Sequence, residues 1–234
     1  MGESSLLQFS KHAHDWALVI MTLVYITRLI WFFRWKGGKE RQPSTNTSGP
    51  PDVARRKGIL YSWGIIGMPW TMESARKKLF LYAQFVTFHL GVVASIFLAF
   101  SLSLAPGIVE KPWAVTLLRV IIGAAFAVGV MRIIRRITSP VMRAISSPDD
   151  HFSLWLLTVW FFFAFLAAPN STANGEWHLI AFFLLTAFFL IYVPFSKISH
   201  YLYYPFTRFW FGKSMGYRGV YPLKRGPKPD YLKV

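Results

Sequence analysis

Five apolar runs, at or near the length needed to cross a bilayer, constrain this chain more than any other feature. They occupy residues 16–36, 79–104, 113–131, 152–168 and 177–200. A hydrocarbon core about 30 Å thick takes about 20 apolar residues in a helix. The runs therefore predict an all-α membrane protein with five transmembrane helices. Composition agrees: 54% of residues are hydrophobic, 18% are aromatic, and the mean hydropathy of +0.38 is high for a water-soluble domain. Cysteine is absent, which excludes disulfides, thiolate catalysis and iron–sulfur ligation within the chain. Any haem or metal here falls to histidine or methionine.

The net charge of +16 invites a nucleic-acid reading. The cations do not form one stripe, however. They collect between the apolar runs, which is the bias of a membrane protein, so no nucleic-acid partner is expected. Of the 26 Lys and Arg, only Lys11, Lys111 and Arg119 fall on one side of the five spans. The others lie in the 37–78 loop, the 132–151 connector, the 201–234 tail or the span ends that adjoin them. The positive-inside rule then predicts an outer N-terminus (residues 1–15) and a cytoplasmic C-terminus. The first run lacks a cleavage pattern and is expected to be retained.

Several shorter signals complete the reading. Residues 37–58 are rich in Gly, Pro, Ser and Thr and read as a loop. Residues 59–72 are apolar but too short to span, and read as re-entrant or interfacial. Arg28 and Arg119 are expected to snorkel. Asp149 and Asp150 are expected to favour the start of span four through the helix dipole. The tail's Tyr and Trp residues fit an interfacial belt, and Lys224, Arg225 and Lys228 suit a partner or anionic lipid. Asn46-Thr47-Ser48 and Asn170-Ser171-Thr172 match a glycosylation sequon too short to carry weight.

The histidines are His12, His14, His89, His151, His178 and His200. His178 and His200 bracket the fifth run, and one continuous helix would hold them about 33 Å apart. On the expected topology His12, His14 and His178 lie at the outer face. His89 lies on the order of 15 Å into span two from the cytoplasmic side, and His200 lies at the cytoplasmic end of span five. His89 and His200 thus share the inner half of the bundle. Two neutral imidazoles in an apolar bundle can ligate a b-type haem. Gly91, Ala94 and Ser95 would leave room for the ring, and Arg132, Arg135, Arg136 and Arg208 are candidates to meet its propionates. The same pair also fits a His-based ion or proton pathway, or simple packing.

Phe88-His89-Leu90-Gly91, preceded by Lys77-Lys78, resembles the second span of the respiratory nitrate reductase gamma subunit family. Arg135-Arg136-Ile137-Thr138-Ser139-Pro140, running on to Ile145-Ser146-Ser147-Pro148-Asp149-Asp150, is similar to that family's connector between spans three and four. Pro194-Phe195-Ser196-Lys197-Ile198-Ser199-His200 resembles its fifth-span ending. The resemblance covers roughly residues 75–210 and is nearer to the membrane cytochrome b subunits of sulfite-reduction-associated and heterodisulfide-reductase-like complexes.

The resemblance implies a haem-binding bundle in the inner membrane of a prokaryote that passes electrons between a membrane quinone and an attached iron–sulfur or molybdenum subunit. His89 and His200 match the cytoplasm-side haem ligands. Two-haem members carry a further His on span two, where this chain has Ala99. One haem b is therefore implied; a second, outer haem held by His178 with His12 or His14, or a quinone bound at His178, is the alternative. The expected function is an electron-transfer subunit of a respiratory complex, its own reactivity limited to quinol or quinone. The rival readings are a haem-free membrane anchor and a small transporter using Arg119 and the histidines.

Overall fold

The computed structural model describes residues 3–35, 43–44 and 50–223, and every regular element among them is helical. In chain order these are α1 (Ser5–Arg34), α2 (Pro51–Gly64), α3 (Glu73–Lys77), α4 (Leu79–Leu104) and α5 (Pro112–Thr138). There follow α6 (Pro140–Ile145), α7 (Pro148–Ala167), α8 (Trp177–Tyr192) and α9 (His200–Tyr217). The Asn46 sequon and the tail cations Lys224, Arg225 and Lys228 lie outside the described residues.

Among the described residues, five helices are long and apolar enough to cross a membrane: α1, α4, α5, α7, and α8 extended to Phe195. The chain is thus compatible with a multi-pass membrane protein. Prolines mark the starts of four of the described α-helices. Pro51, Pro112, Pro140 and Pro148 each sit in the first turn, where the missing N–H costs no hydrogen bond. α7 is also closed by a capping box. Ser147 Oγ accepts from the Asp150 N–H at 3.3 Å, and Asp150 Oδ2 accepts from the Ser147 N–H at 2.8 Å.

The fifth run departs from its expected form. The apolar run predicts one helix over 177–200, but α8 ends at Tyr192 and tightens into a 3₁₀ turn over Val193–Phe195. Ser196 is extended, a second 3₁₀ turn follows, and α9 begins at His200. Pro194 is the cause, since it has no N–H to continue the ladder. His178 and His200 are therefore not the two ends of one rod. The 37–58 segment also differs from the expected loop, because residues 51–58 are helical and continue into α2.

The chain divides into two compact units. One comprises residues 1–34 and 83–199, and the other residues 35–82 and 200–234. In the first, α1 runs parallel to α8. Ser4 meets Glu176 near the start of both helices, with N to Oε2 3.2 Å, and Arg28 donates to the Pro194 carbonyl at the far end. Parallel alignment is what a first and a fifth crossing require. Successive spans run antiparallel. Gln84 reaches Met131 and Gly91 meets Ala125 across α4 and α5. Gly129 lies against Thr158 across α5 and α7. Trp160 donates to Thr186 at 2.9 Å across α7 and α8. Thr186 passes its own proton to the Phe182 carbonyl at 2.7 Å, so this buried pair is satisfied. Large apolar side chains such as Phe9, Trp16, Leu23 and Val93 remain exposed, as a lipid-facing surface demands.

The second unit is built on an antiparallel pair, α2 and α9. Ala54, Gly58 and Ser62 recur every four residues on one face of α2, and Gly212 and Gly216 do so on α9. A Cβ added to Gly58 would overlap the Gly212 carbonyl oxygen and lie 2.6 Å from the Gly216 Cα. The backbones are in direct contact, as small residues at four-residue spacing permit. Polar contacts fix the register: Trp63 Nε1 donates to the Pro205 carbonyl at 3.0 Å, and Arg208 Nε to the Ser62 carbonyl at 3.1 Å. Arg55 lies over the Tyr217 ring, 4.5 Å from its centroid. In the short α3, Lys77 Nζ sits 2.6 Å from Glu73, and this hydrogen bond and charge hold the Glu73 carboxyl below the usual carboxylate range.

Candidate functional site

His89 lies ten residues into α4, half-buried between Phe85 and Phe88. Its Nδ1 is 2.8 Å from the Phe85 carbonyl oxygen. A carbonyl can only accept, so Nδ1 carries the proton, and a neutral His89 holds its lone pair on Nε2. This tautomer suits metal ligation through Nε2, with the other ring nitrogen held by a backbone oxygen. The His89 ring lies against Phe85, centroids 4.1 Å apart, and Phe88 stands edge-on at 6.4 Å.

Arg132 on α5 places its guanidinium 5.0 Å from the Phe88 centroid. The cation is thus linked to His89 through one shared ring. One turn further, Arg136 has its Nη1 buried with no hydrogen-bond partner among the described residues. A buried guanidinium nitrogen without an acceptor is costly, and a carboxylate would satisfy it. Arg135 turns away and donates to the Met142 sulfur at 3.7 Å. Of the three arginines named from sequence on this helix, Arg132 stands over Phe88, Arg136 buries one guanidinium nitrogen and Arg135 is engaged by Met142.

Among the small residues expected to leave room for a ring, Gly91 packs closely: a Cβ there would overlap the Ala125 Cβ of α5 and come within 3.5 Å of Phe161 on α7. Ala94 and Ser95 are buried.

His200 is exposed at the first position of α9 and belongs to the second unit, whereas His89 belongs to the first. Arg208, also in the second unit, is engaged by the Ser62 carbonyl and stands over Tyr204 and Phe211 at 5.7 and 5.8 Å. Its guanidinium helps to build the α2–α9 pair.

At the opposite end of the first unit, His14 and His178 are both buried and His12 is exposed. His14 Nδ1 lies 3.0 Å from the Asp15 carboxylate, and its ring meets Phe183 edge-on at 5.7 Å. The structure therefore places His14 and Phe183 in the α1–α8 seam and leaves His12 outside it. No group of three or more His, Cys, Asp or Glu with metal-binding proximity occurs among the described residues.

A polar network that sequence reasoning missed ties α7 to the α8 break. Lys197 Nζ lies 3.0 Å from Asp150 Oδ1 and donates to Ser147 Oγ at 2.8 Å. Tyr192 OH donates to Asp149 Oδ1 at 2.7 Å and is 3.1 Å from Ser153 Oγ. From the other side Arg28 grips the Pro194 carbonyl and covers the Phe195 ring at 5.1 Å. Arg28 is thus a strut for an interrupted helix, beyond the snorkelling role expected of it. Arg119 lies over Phe165 at 4.4 Å, a contact compatible with the interfacial role expected. The Ser147-Pro148-Asp149-Asp150 string was a legible N-cap signal. Its partners on the other side of the loop were not legible.

Comparison with family models, with curated proteins and with solved structures returned no match for this chain.

Proposed function

We propose that this chain is the membrane cytochrome b subunit of a prokaryotic respiratory complex, relaying electrons between the quinone pool and an attached iron–sulfur or molybdenum protein. The observation that carries the reading is His89: an imidazole within an apolar span, its Nδ1 proton given to the Phe85 carbonyl. His89 and His200 would be the axial ligands of one b haem, and Arg132 and Arg136 would neutralise its carboxylates. When bound, such a haem supplies one-electron transfer. The chain's own part is to fix the His89 tautomer, keep water from the ligand with Phe85 and Phe88, and hold cations near by. The outer histidines His14 and His178 would serve a quinone or a second haem. The charge distribution favours a cytoplasmic C-terminus. A haem-free anchor is the competing reading, favoured by the Gly91 face being filled by packing.

A reduced-minus-oxidised spectrum of the purified chain tests the proposal. We expect a b-type α-band, lost in His89→Ala and in His200→Ala. Absence of the band in the unmutated chain supports the haem-free anchor. A band that survives both substitutions refutes the ligand assignment.

A further inference from the structure

The outward face of the α2–α9 pair carries a gradient that the electron-transfer reading does not use. The packing face of α2 is Ala54, Gly58 and Ser62. Helical geometry places Val53, Arg56 and Leu60 on the opposite face with Lys57 at its edge, and all four are exposed; Trp63 is exposed too, although its Nε1 reaches the Pro205 carbonyl of α9. The stripe is cationic in its first half and apolar in its second, where Leu60 is 66% and Trp63 45% exposed. Ile66 and Trp70 extend the apolar half, Trp70 being 57% exposed.

Among the described residues, Arg56 and Lys57 meet no acid. Asp52, the one acid on α2, is engaged by Arg55 at 3.1 Å, and Arg55 also covers Tyr217. Arg56 and Lys57 have no ion pair or hydrogen-bond partner among the described residues. On α9 an exposed Trp210 carries Lys213 over its ring at 4.9 Å. Exposed Trp beside Leu, with Arg and Lys one to two turns away, matches the layering of a membrane interface: hydrocarbon, then headgroups. A zwitterionic surface gives the paired cations Arg56 and Lys57 no net charge to meet. An anionic one does.

We propose that the α2–α9 hairpin is a docking surface for anionic phospholipid, with Arg56 and Lys57 on the headgroup phosphates and Leu60 and Trp63 in the acyl boundary. All four side chains lie on α2, so the helix itself fixes their separation, and the small-residue seam holds α9 with Trp210 and Lys213 alongside. The inference rests on the hairpin alone and is independent of haem.

The absence of cysteine makes the test clean. Leu60→Cys in the full chain, labelled with a fluorophore and placed in nanodiscs, reports nearby lipid through quenching by spin-labelled phosphatidylglycerol or phosphatidylcholine at equal mole fraction. We expect severalfold stronger quenching by phosphatidylglycerol. Adding Arg56→Gln and Lys57→Gln should abolish that preference, and raising the ionic strength should do the same without any substitution. The same label at Val19→Cys, on the exposed face of span α1, should show no preference. Equal quenching by the two lipids at Leu60→Cys overturns the proposal, as does a preference that survives both neutralisation and high salt. No quenching by either lipid also overturns it, because the stripe is then covered by protein.

Discussion

The bundle and the hairpin both bring helices together through glycine, but what the glycine meets is different. In the bundle, Gly91 faces the side-chain Cβ of Ala125 and the Phe161 ring. Around it the spans are held by interleaved aromatics, such as Phe88 edge-on to Phe161 at 5.1 Å and Trp160 stacked on Phe182 at 6.2 Å. In the hairpin, Gly58 faces the backbone of Gly212 and Gly216, and Gly216 in turn faces the Ala54 carbonyl. Side chains can move or be trimmed, whereas backbone atoms cannot. The hairpin should therefore be the more brittle of the two, although it is the smaller.

Three substitutions test that contrast. Gly58→Ala should have the largest effect, about 3 kcal/mol or more, because the new methyl overlaps a carbonyl oxygen that no rotamer change can remove. Amide hydrogen exchange should show α2 and α9 losing protection together while the five spans keep theirs. Loss confined to α2 would break the claim that the seam holds α9 alongside α2. Gly91→Ala should cost less, about 2 kcal/mol, and the double variant Gly91→Ala with Ala125→Gly should recover most of it, because the clash is between two Cβ atoms. Thermal unfolding of the three proteins in one detergent measures this, and no recovery would mean that the seam is also set by backbone. Ser147→Ala should be smallest, about 1 kcal/mol for the lost cap. It also removes one of the two acceptors of Lys197, so exchange should rise at the α7 start and at 196–199 in the same variant. A rise at α7 alone would separate the cap from the break.

The parts of the fold that were legible in the sequence share a common cause. A span is a statement about transfer free energy summed over some twenty residues, so its existence survives ignorance of its neighbours. Pro112, Pro148 and the Ser147 cap mark boundaries by local chemistry, and the structure starts helices at those prolines. The break at Pro194 was equally written in the chain, yet the apolar run around it concealed the interruption. The small-residue series 54, 58, 62 and the pair 212, 216 were visible too. The Gly and Pro content of the stretch holding α2 argues for a loop and so masks their helical spacing. His89 was legible as a candidate ligand, but not its tautomer, which depends on how the ring turns towards the Phe85 carbonyl. Whether Gly91 opens space or fills it depends on what stands opposite, and nothing local encodes Ala125.

By itself, the sequence determined that this is a helical chain with five membrane-length segments, histidines set in or beside them, and cations gathered between them. Those are sums over composition and near neighbours. Only the tertiary structure decided that Arg28 braces Pro194, that Asp149 and Asp150 answer Tyr192 and Lys197, and that a glycine-rich stretch becomes half of a rigid pair. Each of these is a contact between residues far apart in the chain, where the energy comes from shape and hydrogen-bond geometry and leaves no periodic trace.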